Sequence, residues 1–346
     1  MPLNLVIEPV DRTLEAALQN KIDQKTKPLG ALGVLETIAL KVGLIQNSLQ
    51  PTLHKPCVMV FAGDHGVAES GVSAYPQAVT AQMVANFLAG GSAINVFAKQ
   101  HGMDLVIVDA GVNADLSAHT GLIHAKVALG TRNYLHEMAM TSEQCLTALQ
   151  RGAELVKAQQ LLGCNCIGFG EMGIANTSSA SLLMHCLTGQ DLHDCVGRGT
   201  GLNDAQLARK LKLLEQAIKQ YQQLTDPLIV LETFGGFELA MMVGAYLQAA
   251  ALKKIIIVDG FIATAALLVA YRLKPHVLDY CLFSHVSDEL GHGLLLEELQ
   301  AKPLLNLSLR LGEGSAIALV YPLIASALLF LRDMASFSEA GVSTAE

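Results

Sequence analysis

Six short apolar, β-branched runs separated by helical patterns predict an α/β protein built on a parallel sheet of about six strands. The runs are Cys57–Phe61, Leu105–Val108, Cys164–Phe169, Leu228–Leu231, Ile255–Val258 and Leu278–Phe283. Most are continuously apolar rather than alternating, as strands covered on both faces must be. Helical patterns such as Glu143–Leu162, Ala205–Gln223 and Phe237–Leu252 lie between most of them, and strand, helix, strand in series describes a doubly wound sheet.

The turn after each run is the third observation. The first run ends in Ala62-Gly63-Asp64-His65-Gly66, the second in Asp109-Ala110-Gly111, the third in Gly170-Glu171-Met172-Gly173. The fourth ends in Glu232-Thr233-Phe234-Gly235-Gly236, the fifth in Asp259-Gly260, the sixth in Ser284-His285-Val286-Ser287-Asp288-Glu289. Ligands of open α/β sheets gather beyond the carboxyl ends of strands, where glycines allow sharp turns and close approach. Six glycine-rich or acidic turns on one edge therefore locate the active site. Outside the runs, Asp11–Gln46, interrupted near Pro28-Leu29-Gly30, and Gly314–Met334 read as helical. They predict a small helical domain from residues 1–50 and 303–346, joined to an α/β domain of residues 51–302.

Hydrophobic residues make up 51% of the 346 and charged residues 16%, with a mean hydropathy of +0.40, so a membrane protein has to be weighed. The longest apolar runs, Leu239–Leu252 and Ser315–Leu331, are broken by Gly244, Gln248 and Pro322, and neither supplies the roughly twenty clean apolar residues of a span. Buried core helices are expected instead, with no membrane span. Met1-Pro2-Leu3-Asn4 opens no secretory signal, and seven scattered cysteines form neither a disulfide framework nor a CxxC pair; both point to the cytoplasm. The formal charge of −8 and the lack of a basic stripe speak against a nucleic-acid partner.

Gly168-Phe169-Gly170-Glu171-Met172-Gly173 matches the dinucleotide fingerprint on paper. It falls on the third strand, sets Glu171 where a pyrophosphate would lie, and is followed by no second strand with an acidic end. No cofactor is called for. Gly173 leads instead to Asn176, Thr177, Ser178 and Ser179, hydroxyls and small residues that open a helix and suit a single phosphate; helix capping is the plainer alternative. A second loop, Val196 to Asp204, brings Gly199, Thr200 and Asn203 ahead of a helix carrying Lys210, again apt for an oxyanion.

The segments KTKPLGALGVLE, FAGDHGVAESGVSAYPQAVTAQMV, GFGEMGIANTSSAS, VGRGTGLND, FGGFELAMMVGA, DGFIATAA, SHVSDELGH and LRLGEGSAIAL run in order from Lys25 to Leu319. Together they resemble the nicotinate-nucleotide–dimethylbenzimidazole phosphoribosyltransferase family of cobalamin lower-ligand synthesis. The resemblance implies a Rossmann-like large domain, a small helical domain and a homodimer whose sites draw on both subunits. It implies nicotinate mononucleotide and 5,6-dimethylbenzimidazole as substrates, and Glu313 as general base.

Glu313 lies between Gly312 and Gly314 in an otherwise apolar stretch, where burial would tune a carboxylate for proton transfer; capping of the following helix is the alternative. Glu171 is the second candidate carboxylate, Asp259 and Ser287 are weaker ribose candidates, and Tyr75, Pro76, Gln82, Met83, Met172 and Leu311 are candidate walls for the aromatic base. Two rivals remain: a metal-dependent hydrolase using Asp64, His65, Asp109, His285, Asp288 and His292, and a non-catalytic nucleotide-binding protein. The favoured reading needs no metal.

Overall fold

The computed structural model describes residues 4–199, 201–221 and 224–343. Its main sheet has six strands, all parallel: β1 Cys57–Gly63, β2 Asp104–Gly111, β3 Leu122–His124, β4 Cys166–Met172, β5 Ile255–Val258 and β6 Cys281–Phe283. The order β3-β2-β1-β4-β5-β6 reverses direction between β1 and β4, and the crevice at such a reversal is the usual ligand site of a doubly wound sheet. Every residue of β1 and of β5 is buried, as their unbroken apolar runs require. Two further short strands, β7 His285–Ser287 and β8 Leu305–Leu309, pair in parallel just beyond β6.

One expected strand is a helix. Leu228–Leu231 belongs to the helix Pro227–Phe234, because Asp226 accepts the amides of Leu228 and Ile229 and Pro227 takes the first helical position. The remaining strand of the sheet is instead Leu122–His124, directly after Gly121. Of the run Leu278–Phe283, only Cys281–Phe283 is extended; Pro275 starts a 3₁₀ turn that holds the rest.

The helices Ser142–Leu161, Asp204–Tyr221 and Phe237–Ala251 agree with the periodicity, although residues 222 and 223 of the expected Ala205–Gln223 lie outside the described residues. Phe237–Ala251 is almost wholly buried and crosses Ser142–Leu161 at contact distance. A Cβ at Gly152 would strike the Met241 carbonyl and one at Gly244 the Leu149 carbonyl, so Gly244 interrupts its apolar run to let two backbones touch. Ser315–Asp333 is, by length and composition, apolar enough to cross a membrane. Half of its most apolar window is buried, and it packs on the helices Val34–Ile45 and Ala93–Gln100. Pro322 lies inside it, and the Ser326 hydroxyl donates to the Pro322 carbonyl at 2.8 Å.

Candidate active site

Beyond the carboxyl ends of β4 and β5 lies a cavity of about 640 Å³, walled by the turns after those strands, by Arg198, Gly199 and Leu202, and by the segment 308–313. Its geometry starts with missing side chains on β4. A Cβ at Gly170 would stand 2.5 Å from the carbonyl carbon and oxygen of Glu313, and one at Gly168 would stand 2.6 Å from Ile317. Two glycines one pleat apart thus let the turn before Ser315–Asp333 lie flat on the strand. That turn runs through three successive left-handed residues: Gly312 (φ 83°), Glu313 (φ 62°) and Gly314 (φ 77°). Glycine takes this conformation freely; a glutamate gives up roughly 1–2 kcal/mol.

The turn is clamped by Asp259, whose carboxylate accepts the N–H groups of Gly314 and Ala316, each at 3.1 Å. Asp259 therefore caps the helix that Glu313 precedes. Burial still raises its carboxyl to about 7, against the three backbone N–H groups that favour its charged form. The Glu313 side chain is 6% exposed, borders the cavity, and leaves Oε2 buried without a hydrogen-bond partner. Burial raises its pKa, partly offset by the N–H of Ile94 in the first turn of Ala93–Gln100. Glu171, at the end of β4, accepts a hydrogen bond from the Asn176 side-chain amide and faces Gly312. Burial pushes its carboxyl up to about 8, with the like charges of Asp259, Glu238 and Glu313 adding to the rise.

Another part of the cavity wall is cationic. The helix Asn176–Thr188 points its N-terminus into it, and Lys210, 1% exposed, reaches in from the helix Asp204–Tyr221. Lys210 Nζ donates to the Gly197 carbonyl at 3.3 Å and to Thr177 Oγ1 at 3.4 Å, and burial lowers its pKa to about 8, opposed by Glu289. Arg198 and Arg310 lie along the same wall. A helix N-terminus, a desolvated ammonium and two guanidinium groups suit a phosphate.

Of the residues singled out from sequence, the cavity gathers Glu313, Glu171, Gly173, Asn176, Thr177, Gly199, Lys210, Asp259 and Ser287, with Tyr75, Met83, Met172 and Leu311 along its apolar wall. Pro76 and Gln82 are exposed and not among the cavity's walls. Ser178 and Ser179 are buried behind the helix N-terminus, Ser179 within 3.0 Å of His65 Nδ1. Asn203 exchanges hydrogen bonds with Gln206 and so caps the helix that bears Lys210. Thr200 lies outside the described residues. Ser287 turns its hydroxyl to the Leu309 carbonyl at 3.1 Å, tying β7 to β8.

Arg198, Glu289 and Arg310 also line the cavity; the sequence places Arg198 in the second glycine loop and Glu289 in the sixth strand-end turn without marking either, or Arg310, as a site residue. The signal available for Arg310 is a lone cation directly before Leu311-Gly312-Glu313; for Glu289, an acid following Ser287-Asp288 at the sixth strand end. The residues of the hydrolase reading have other partners: Asp64 accepts the Asn113 amide at 2.7 Å, Asp109 faces Lys126, and His292 Nδ1 accepts the Ser287 amide at 2.8 Å. Among the described residues no three His, Cys, Asp or Glu side chains converge as metal ligands.

A family model described as phosphoribosyltransferase matches residues 7–342. Nicotinate-nucleotide–dimethylbenzimidazole phosphoribosyltransferases of Cupriavidus taiwanensis and Dechloromonas aromatica are each 60% identical over 339 residues, covering 98% and 97% of this chain and equal shares of their own. The crystal structure of CobT from Thermus thermophilus superposes with a TM-score of 0.93 at 41% identity, over 96% of this chain and 99% of that one. The chain belongs to the nicotinate-nucleotide–dimethylbenzimidazole phosphoribosyltransferase family.

Proposed function

We propose that this protein transfers the 5-phosphoribosyl group of nicotinate mononucleotide to 5,6-dimethylbenzimidazole, giving α-ribazole 5′-phosphate and nicotinate. The 5′-phosphate sits beside Lys210, against the N-terminus of Asn176–Thr188. The C1′–N bond to nicotinate breaks with its electron pair passing to the pyridinium nitrogen, so the leaving group needs no proton. C1′ acquires oxocarbenium character, and a benzimidazole ring nitrogen attacks from the opposite face, turning a β-nucleotide into an α-product. As the new C1′–N bond forms the ring becomes cationic, and loss of the other ring N–H neutralises it. Glu313 takes that proton.

One observation carries this reading: Glu313 borders the cavity that Lys210 also lines, and among the described residues its buried Oε2 has no hydrogen-bond partner. A second copy of the chain completes the site. Tyr75, Leu290, Leu307 and Leu311 leave apolar side chains exposed at or beside the cavity wall, which supports a homodimer. Seven free cysteines suit a reducing cytoplasm.

Purified protein mixed with nicotinate mononucleotide and a panel of benzimidazoles and purines should release nicotinate and form the α-anomer, and light scattering should report a dimer. Glu313→Gln should keep nicotinate mononucleotide binding while base exchange falls by about two decades or more. Unchanged turnover removes Glu313 from the mechanism, and activity abolished by EDTA favours the hydrolase.

A further inference from the structure

Behind the cavity lies a buried cluster that the transfer chemistry leaves unused. His65, just past β1, and Glu238, in the first turn of Phe237–Ala251, are both fully buried and meet at 2.5 Å between Nε2 and Oε1. The other ring nitrogen stands 3.0 Å from Ser179 Oγ. Serine, histidine and glutamate in line have the composition of a nucleophilic triad. All three are fully buried and none borders the cavity, so no substrate reaches Ser179.

Glu238 is unusual in what it lacks. Its Oε2 is buried with no hydrogen-bond partner, and among the described residues its only ion-pair partner is His65. Glycines make its room: a Cβ at Gly63 or Gly236 would stand 2.7 or 2.5 Å from Oε2. Gly173 joins this carboxylate to the active site, since a Cβ there would stand 3.3 Å from Glu238 Oε1 and 3.4 Å from Asn176 Nδ2. Asn176 in turn donates to Glu171. A buried carboxylate with one unmet oxygen is costly, and such costs collect at functional sites.

We infer that Glu238, held by His65, is a positioning residue of the transfer reaction: packed behind Gly173, it fixes the turn that carries Asn176 and, through the Asn176 amide, the setting of Glu171. The inference rests on Glu171 acting in that reaction. Glu171 is faced by Asp259 past β5, by Glu313 on its left-handed turn and by Glu238 across Gly173, and Lys210 lines the same cavity. Glu238 is faced by His65 and by the neighbouring Asp64. Like charge at Glu238 disfavours the ionised Glu171, whose carboxyl burial already raises to about 8. At neutral pH Glu171 thus presents an O–H donor to the sugar while Glu313 accepts the ring proton, two carboxyls whose surroundings divide their roles.

The test is a pH profile of kcat for wild type, Glu171→Gln and Glu238→Gln. The limb that Glu171→Gln abolishes belongs to Glu171. Glu238→Gln keeps an acceptor for His65 but removes the charge, so that limb should move to lower pH while kcat at its optimum falls about tenfold to a hundredfold. A Glu238→Gln profile that scales uniformly without moving the limb assigns Glu238 a structural role only and overturns the inference, with Glu171 retained. A Glu171→Gln profile that keeps both limbs overturns the reading of Glu171 itself. Should Glu238→Gln not fold, Glu238→Asp, which withdraws the charge by one methylene, must move the limb in the same direction; an unmoved limb overturns the inference.

Discussion

Beside Lys210, charged side chains meet an opposite charge or an acceptor: Lys210 reaches Gly197 and Thr177, Arg198 pairs with Asp204, and Lys210 and Arg310 both oppose Glu289. Beside Glu313, three carboxyls converge, Glu171, Asp259 and Glu313, and no cation contributes to the shift of any of them. One of the three sits on a left-handed backbone with an unmet oxygen. Under the proposed reaction a phosphate would arrive with its own charge and need only donors already in place. A proton-transfer group has to be held away from its ordinary pKa, and the fold carries that cost permanently. Binding and chemistry are therefore separable by mutation.

The largest break in this division should come from Gly170→Ala. The new methyl would stand 2.5 Å from the Glu313 backbone, which cannot swing aside as a side chain can. A displacement of the turn by about 1 Å should lower kcat by roughly a hundredfold while the Michaelis constant for nicotinate mononucleotide changes little. Steady-state kinetics decide it; a variant that loses substrate affinity instead would mean the two parts of the site are not independent.

Lys210→Met is the converse and should be somewhat milder. Loss of a charged hydrogen bond to phosphate is worth about 1.5–3 kcal/mol, so the Michaelis constant should rise roughly tenfold to a hundredfold with kcat nearly preserved. A collapse of kcat at saturating substrate would place Lys210 in the chemistry.

The same division governs what the sequence discloses. The Lys210 part of the cavity is written locally: glycines, hydroxyls and a lysine two turns into a helix stand in two short segments, and Gly173, Asn176, Thr177, Gly199 and Lys210 can all be picked out. Glu313 is visible through its flanking glycines, but its setting depends on Gly168 and Gly170, more than a hundred residues earlier, where the glycine pattern imitates a dinucleotide fingerprint. The His65–Glu238 pair spans 173 positions and carries no local signature. In the sheet, the strong apolar runs disclose five of the six strands. Leu228–Leu231 misleads because its composition is strand-like, while the deciding signal, Asp226-Pro227, lies just outside it. Leu122–His124 is too short to show a period, and it is held by pairing with β2 rather than by its own propensity. Leu305–Leu309 does alternate, apolar and polar, yet lies in a stretch whose neighbours read as helical.

The smallest expected effect concerns stability and isolates the acidic part by pH. Burial depresses His285 to about 4 and His292 to about 3, so below their unfolded value near 6.5 the unfolded chain binds more protons and stability falls as pH drops. Glu171 and Asp259 act the other way, since folded carboxyls raised to about 8 and about 7 hold protons that the unfolded chain has released. Their contribution is complete below about pH 4 and is lost as pH rises through the folded values. Above about pH 7.5 the two histidines are almost entirely neutral in both states, so of these four groups the acids contribute nearly all the slope, and stability should decline. Glu171→Gln removes its share of that slope. It should melt on the order of 1 kcal/mol, about 2–4 °C, above wild type at pH 8, with the gap narrowing towards pH 5. A variant that instead melts lower at pH 8 would show the Glu171 carboxylate to be paired and stabilising, and the acidic part would no longer differ in kind from the Lys210 part.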